Sequence, residues 1–122
     1  MLTKNMPYYR VIVMKVINIA KDFSPFPAGR EIVEGPFSGE AFRIDHLMPA
    51  LDSGEKVKII FDGGFGYGSS FLEESFGGLI RTQRYNNQDI LKKMVFVSEE
   101  DPFLISEIES YVKDAIQESK NA

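Results

Sequence analysis

Asp62-Gly-Gly-Phe-Gly-Tyr-Gly-Ser-Ser-Phe-Leu-Glu-Glu-Ser-Phe-Gly-Gly-Leu-Ile80 is the stretch on which the fold turns. It starts where the apolar run Val57-Lys58-Ile59-Ile60-Phe61 stops, and it ends in an amphipathic segment. The order reads strand, glycine loop, helix. Gly66 and Gly68 are expected either to take backbone angles poor for other residues or to lie against a neighbouring element. Ser69 or Ser70 stands where the helix begins, and serine is a favoured N-cap. Free backbone N–H groups and the positive end of the helix dipole face outward there. Such a junction suits an anion, a phosphate or a docked partner.

The helix after the loop carries Leu72, Phe76, Leu79 and Ile80 on one face. Glu73, Glu74, Gly77 and Gly78 lie on the other. Two consecutive glycines inside a helix cost about 1 kcal/mol each against alanine. Close approach by another element or by a partner is the expected compensation. Adjacent carboxylates at 73 and 74 point about 100° apart on a helix and make no acid/base pair. The plainer reading is a solvated face.

Working outward, Val11 to Ile19 reads as a buried strand and Met94 to Val97 as another. Lys21 to Arg30 is a loop pinned by Phe23 and Phe26, and Arg30 to Glu34 is a short strand. Ser38 caps a helix from Gly39 to Leu51, with Ala41, Ile44, Met48 and Leu51 inward. Pro49 is expected to end or kink it near Met48. Asp101-Pro102 opens a last helix buried through Leu104, Ile108, Tyr111, Val112 and Ala115. His46 reads as a surface residue. Strands alternating with helices give an α/β fold: a single-layer, mixed and partly parallel sheet of about four strands, packed with about three helices. The 122 residues fit one domain, with 1–7 and 117–122 as loose ends.

Composition narrows the function classes. There is no cysteine and a single histidine, which removes thiol chemistry and argues against a zinc or histidine-triad site. Net charge is −4 with scattered basic residues, so no nucleic-acid footprint and no polybasic membrane patch is read. No membrane span and no signal peptide is seen, and a cytoplasmic protein is expected. The glycine loop lacks both a P-loop ending and a dinucleotide spacing. No nucleophile-plus-base spacing, no catalytic residue, no metal and no cofactor are assigned. Asp62 reads as a turn cap or, alternatively, as a general base or metal ligand. Arg30, Glu40 and Arg43 form a polar cluster or a salt-bridged edge.

The run from Gly66 to Leu79 resembles the motif of the STAS-like family of bacterial proteins of unknown function. So do Phe23-Ser24 with Gly29-Arg30, and Gly35-Pro-Phe-Ser-Gly-Glu-Ala-Phe-Arg43. This family is similar to the STAS domains of anti-sigma-factor antagonists, where an Asp-Ser-Ser motif opens a helix and a kinase phosphorylates its second serine. By that resemblance Gly68-Ser69-Ser70 matches the motif, with Gly68 in the aspartate's place. Ser70 is then the implied phosphosite and Ser69 its neighbour. The resemblance alone implies a GHKL-type ATPase or kinase as partner. The leading expectation is a small non-enzymatic regulatory module. It binds another protein through Asp62, Gly66, Tyr67, Gly68, Phe71, Glu73, Glu74, Gly77 and Gly78, with a homo-oligomer as a further option. The alternative is a small-ligand or nucleotide binder, or an enzyme, using Asp62, Ser70 and Arg30 in a strand-end crevice.

Overall fold

A computed structural model of the protein describes residues 14–121. Three strands, β1 (Met14–Asn18), β2 (Lys56–Ile60) and β3 (Met94–Val97), form a parallel sheet in the order β1-β2-β3. Ile17 pairs with Ile59, and Ile59 with Phe96. The expected α/β class holds with three strands among the described residues rather than about four. The missing strand is the one expected over Arg30 to Glu34. There, Ile32–Glu34 is a turn of 3-10 helix. One half of a capping box closes it: the Glu34 carboxylate accepts from the Glu31 N–H at 3.0 Å while the Glu34 N–H donates to the Glu31 carbonyl at 2.9 Å, which favours a helical turn over extension. Residues 11–13 of the expected first strand, and the expected loose end 1–7, lie outside the described residues.

Each strand alternates. Ile17, Val57, Ile59 and Met94 point into one core, and the residues between them point the other way. Three helical elements supply most of the rest of that core, with Ile19, Phe61 and Ile90 from the connections. Helix α1 runs continuously through Gly39–Phe42, Arg43–Leu47 and Met48–Asp52. It does not stop at Met48. The middle segment is a wide π-turn in which the Met48 N–H reaches back to the Arg43 carbonyl. Pro49 has no N–H to give and its ring crowds the carbonyl four residues earlier, so a wider turn just ahead of it relieves both problems. The extra residue also shifts the phase of the helix. Leu47 is buried, and Ile44, expected inward, is exposed.

Helix α2 comprises Ser69–Leu72, a second π-turn Glu73–Gly77, and Gly78–Arg81. Its inward residues Leu72, Phe76, Leu79 and Ile80 are all buried, as the spacing predicts. The Ser75 hydroxyl donates to the Phe71 carbonyl at 2.7 Å. That bond competes with the regular ladder and accounts for the widening. Helix α3, Phe103–Lys120, buries Leu104, Ile108, Val112 and Ala115 against α2 and stays helical past Gln117. No helix of the described residues is long and apolar enough to cross a membrane.

Candidate functional site

The glycine loop emerges from the carboxyl end of β2. Asp62, its first residue, has its carboxylate fully engaged by backbone. Oδ1 accepts from the Glu100 N–H at 2.8 Å and Oδ2 from the Glu99 N–H at 3.1 Å. Glu100 returns the bond by accepting from the Gly63 N–H. Asp62 therefore caps the turn leading into α3 and clamps two loops together. Tyr67 is half-buried and donates to the Phe61 carbonyl at 2.7 Å. Burial, with the nearby charges of Asp62 and Glu100, pushes its phenol up to about 12. It stays neutral and serves as a pin. Gly66 has φ +108°, as expected of a residue held outside the ordinary regions. Gly68 does not follow: its φ is −74° and a Cβ there meets open space. It is the N-cap of α2, and so neither serine is.

Ser69 and Ser70 occupy the first turn of α2, and both are exposed. Neither hydroxyl is hydrogen-bonded among the described residues. Phe71, read from the sequence as a contact residue, is 1% exposed and belongs to the core. The packing instead exposes Phe65, which the sequence reading passed over. Phe65 is 76% exposed and stacks on Phe26, 63% exposed, with centroids 4.5 Å apart and planes within 6°. The Phe65 N–H donates to the Pro25 carbonyl at 3.0 Å, which ties the glycine loop to the loop after β1. Phe26 thus does not pin its loop to the core. Phe23 does, against Phe42, Phe37 and His46. His46 is half-buried in that cluster rather than free on the surface.

One turn along α2 the polar residues converge on Glu73 and Glu74. Arg30 Nη1 lies 2.6 Å from Glu73 Oε1 and 3.4 Å from Glu74 Oε1. Arg81 bonds both oxygens of Glu73, at 2.8 and 2.9 Å. Arg43, the most buried of the three arginines, donates to the Glu74 carboxylate at 3.0 Å and to its backbone carbonyl at 3.2 Å. The two carboxylates are not a solvated face. The Arg81 hydrogen bond, with Arg30 in support, holds Glu73 below the ordinary carboxylate range. Glu40, expected in this cluster, bonds the Ile32 N–H at 2.8 Å instead. The glycine pair makes room for the network. A Cβ on Gly78 would lie 2.6 Å from Arg43 Nε, and one on Gly77 would collide with the Glu73 carboxylate. The close neighbour expected of these glycines is α1 and the ion network itself.

Of Asp62, Ser70 and Arg30, only Asp62 lines the strand-end crevice. Tyr67, Gly64, Gly66, Ser98 and Glu100 join it there, around about 80 Å³. Clefts for drug-sized ligands run to roughly 300–1,000 Å³. A larger open groove of about 630 Å³ lies at the far end of α2, lined by Gln83, Asn86, Asn87 and Gln88 from the following turn. No cluster of acidic and histidine side chains fit for a metal occurs among the described residues.

No curated protein and no solved structure matches the chain. A family model described as a STAS-like domain of unknown function (DUF4325) matches residues 38–103, from the cap of α1 through the glycine loop, α2 and β3 to the first residue of α3. That span is just over half of the 122 residues and contains the strand–loop–helix junction at its middle. The chain belongs to this family of STAS-like domains of unknown function.

Proposed function

We propose that the protein is a small, non-enzymatic regulatory module that binds another protein through the glycine loop and the first turn of α2, with modification of Ser70 as its control. The observation that carries this is the exposed Phe26–Phe65 stack, whose Phe65 lies on the loop that delivers two uncommitted serine hydroxyls. Stacked aromatics left in water are the usual anchors of a protein interface. The resemblance to antagonist STAS domains adds the class of partner, a GHKL-type ATPase or kinase.

Charge explains how such a switch would act. A phosphate on Ser70 adds about −1.5 to −2 charges at the start of a helix. The free amides there favour it by roughly 0.3–1 kcal/mol. Glu73 and Glu74 would oppose it, but both are already paired with arginines. The fold should tolerate the phosphate, whereas a partner surface closing over it would bury an unpaired charge at a cost of several kcal/mol.

The test is a pull-down from the native host with wild type, Ser70→Ala, Ser70→Asp and Phe65→Ala, read by mass spectrometry beside melting curves. Wild type and Ser70→Ala should retain a common partner that Ser70→Asp and Phe65→Ala lose, all four melting within a few degrees. Equal retention by all four proteins sinks the proposal.

A further inference from the structure

All three helices bury their apolar stripes in one core on a single face of the sheet. The opposite face carries Met14, Val16 and Asn18 from β1, Lys56, Lys58 and Ile60 from β2, and Val95 and Val97 from β3, as the strand register sets them. Val16 is 57% exposed, Val95 and Met14 are exposed, and Ile60 and Val97 are half-buried outside the core cluster. No described element forms a second layer there. Parallel sheets occur almost only with both faces covered, so this face is incomplete among the described residues.

From its chemistry we infer that the outer face of the sheet is a docking surface for one acidic amphipathic helix of a partner protein. Two strand spacings of ~4.8 Å make the face about 10 Å wide, which is the breadth of a single helix with its side chains. At the centre of the apolar strip stands Lys58, flanked in register by Val16 and Val95, with Lys56 one pair further along. Neither lysine pairs with a carboxylate among the described residues. An occupant that satisfies both parts of this pattern carries an apolar stripe bordered by Glu or Asp. A second copy satisfies it poorly, because a two-fold contact over this face brings lysines to a surface that carries no carboxylate of its own. This surface is independent of the glycine loop.

The experiment uses the full chain with methyl-labelled Val and Ile. The probe is a helical peptide of about 18 residues with leucines at i, i+3, i+4 and i+7 and glutamates on both flanks. A twin peptide with lysines in place of the glutamates is the control. Saturable shifts confined to the methyls of Val16, Ile60, Val95 and Val97 are expected with the acidic peptide only. Lys58→Glu should weaken that binding about tenfold, a change of charge sign at one contact. Equal response to both peptides, or shifts elsewhere, overturns the inference. So does a dimer in sedimentation that Val16→Glu dissolves, which would make a second copy the occupant. Shielding of these methyls from a soluble paramagnetic probe in the free chain, lost on deleting residues 1–13, would assign the face to the protein's own N-terminal segment and overturn it as well.

Discussion

Replacing Gly39 by alanine tests the packing on which the site depends. Gly39 is the first residue of α1, and a Cβ built on it would lie 2.5 Å from the Phe71 carbonyl oxygen, 2.9 Å from the Glu74 Cβ and 3.2 Å from the Ser75 nitrogen. Two of those atoms are backbone of α2, so neither can swing aside as a side-chain tip would. The Phe71 carbonyl is also held by the Ser75 hydroxyl at 2.7 Å, and Ser75 is fully buried. Relief requires moving one helix off the other. Overpacking of this kind costs about 1–3 kcal/mol, and alanine returns at most about 1 kcal/mol in helix propensity. The expected net loss is about 1–2 kcal/mol. For a chain of this length that lowers the melting temperature by roughly 3–10 °C. Urea unfolding should show the same loss as a lower midpoint at constant slope. Gly68→Ser is the matched control: it adds a side chain in open space at an N-cap, and should raise stability by a few tenths of a kcal/mol. If Gly39→Ala unfolds at or above the parent's midpoint, the close approach of α1 to α2 is wrong.

Gly78→Ala and Gly77→Ala should differ although the residues are adjacent. The first displaces Arg43, which is held by two bonds to Glu74, and should lose about 1–2 kcal/mol because a hydrogen bond to a charged group is worth roughly 1.5–3. The second meets only the tip of Glu73 and its partly exposed pairing with Arg81, a pair worth about 0.2–1 kcal/mol, so the propensity gain cancels it and urea midpoints should match wild type. Glu73 is held below its ordinary range by Arg81 and Arg30, so it binds fewer protons folded than unfolded near its ordinary pKa of 4.5. Its stabilisation is complete above that pH and lost as pH falls through the lower folded value; Glu73→Gln should flatten the acid limb of the stability–pH curve below about 4.5 while leaving its slope above pH 6 unchanged. Gln83, with φ +59°, ends α2 in the left-handed region, so Gln83→Gly should raise stability by about 0.5–1 kcal/mol in thermal melts.

What could be read from the chain, and what could not, follows the range of the forces. Strand β2, the glycine loop and the inward face of α2 declare themselves through local pattern, and the structure keeps each one. Ile44 and Ile32-Val33 were misread for local reasons that only neighbours reveal: a π-turn ahead of Pro49 rotates the first outward, and half of a capping box curls the second. The ion network was beyond reach in a different way. Arg30 and Glu73 are 43 residues apart, and nothing local tells a carboxylate awaiting an arginine from one facing water. Phe65 did leave a signal. A large apolar residue between two glycines belongs to no strand or helix period, and so has no face to bury.

The division between locked and exposed residues makes the loop's role separable by experiment. Gly39, Arg43, Glu74, Ser75 and Gly78 serve the contact between α1 and α2, Glu73 and Gly77 serve the ion network beside it, and all are at least half-buried. Phe65, Ser69 and Ser70 lie on the glycine loop and the first turn of α2, with Phe26 stacked on Phe65 from the loop after β1, and all four are exposed. A purely structural motif gives no reason to hold two aromatic rings in water where two loops meet, one clamped by Asp62 and the pair joined by the Phe65–Pro25 bond. The clamps fix the rings without burying them, and under the proposed function that order would lower the entropy lost on binding. Changes in the buried set should therefore move stability first and binding only through it. Changes in the exposed set should move binding alone.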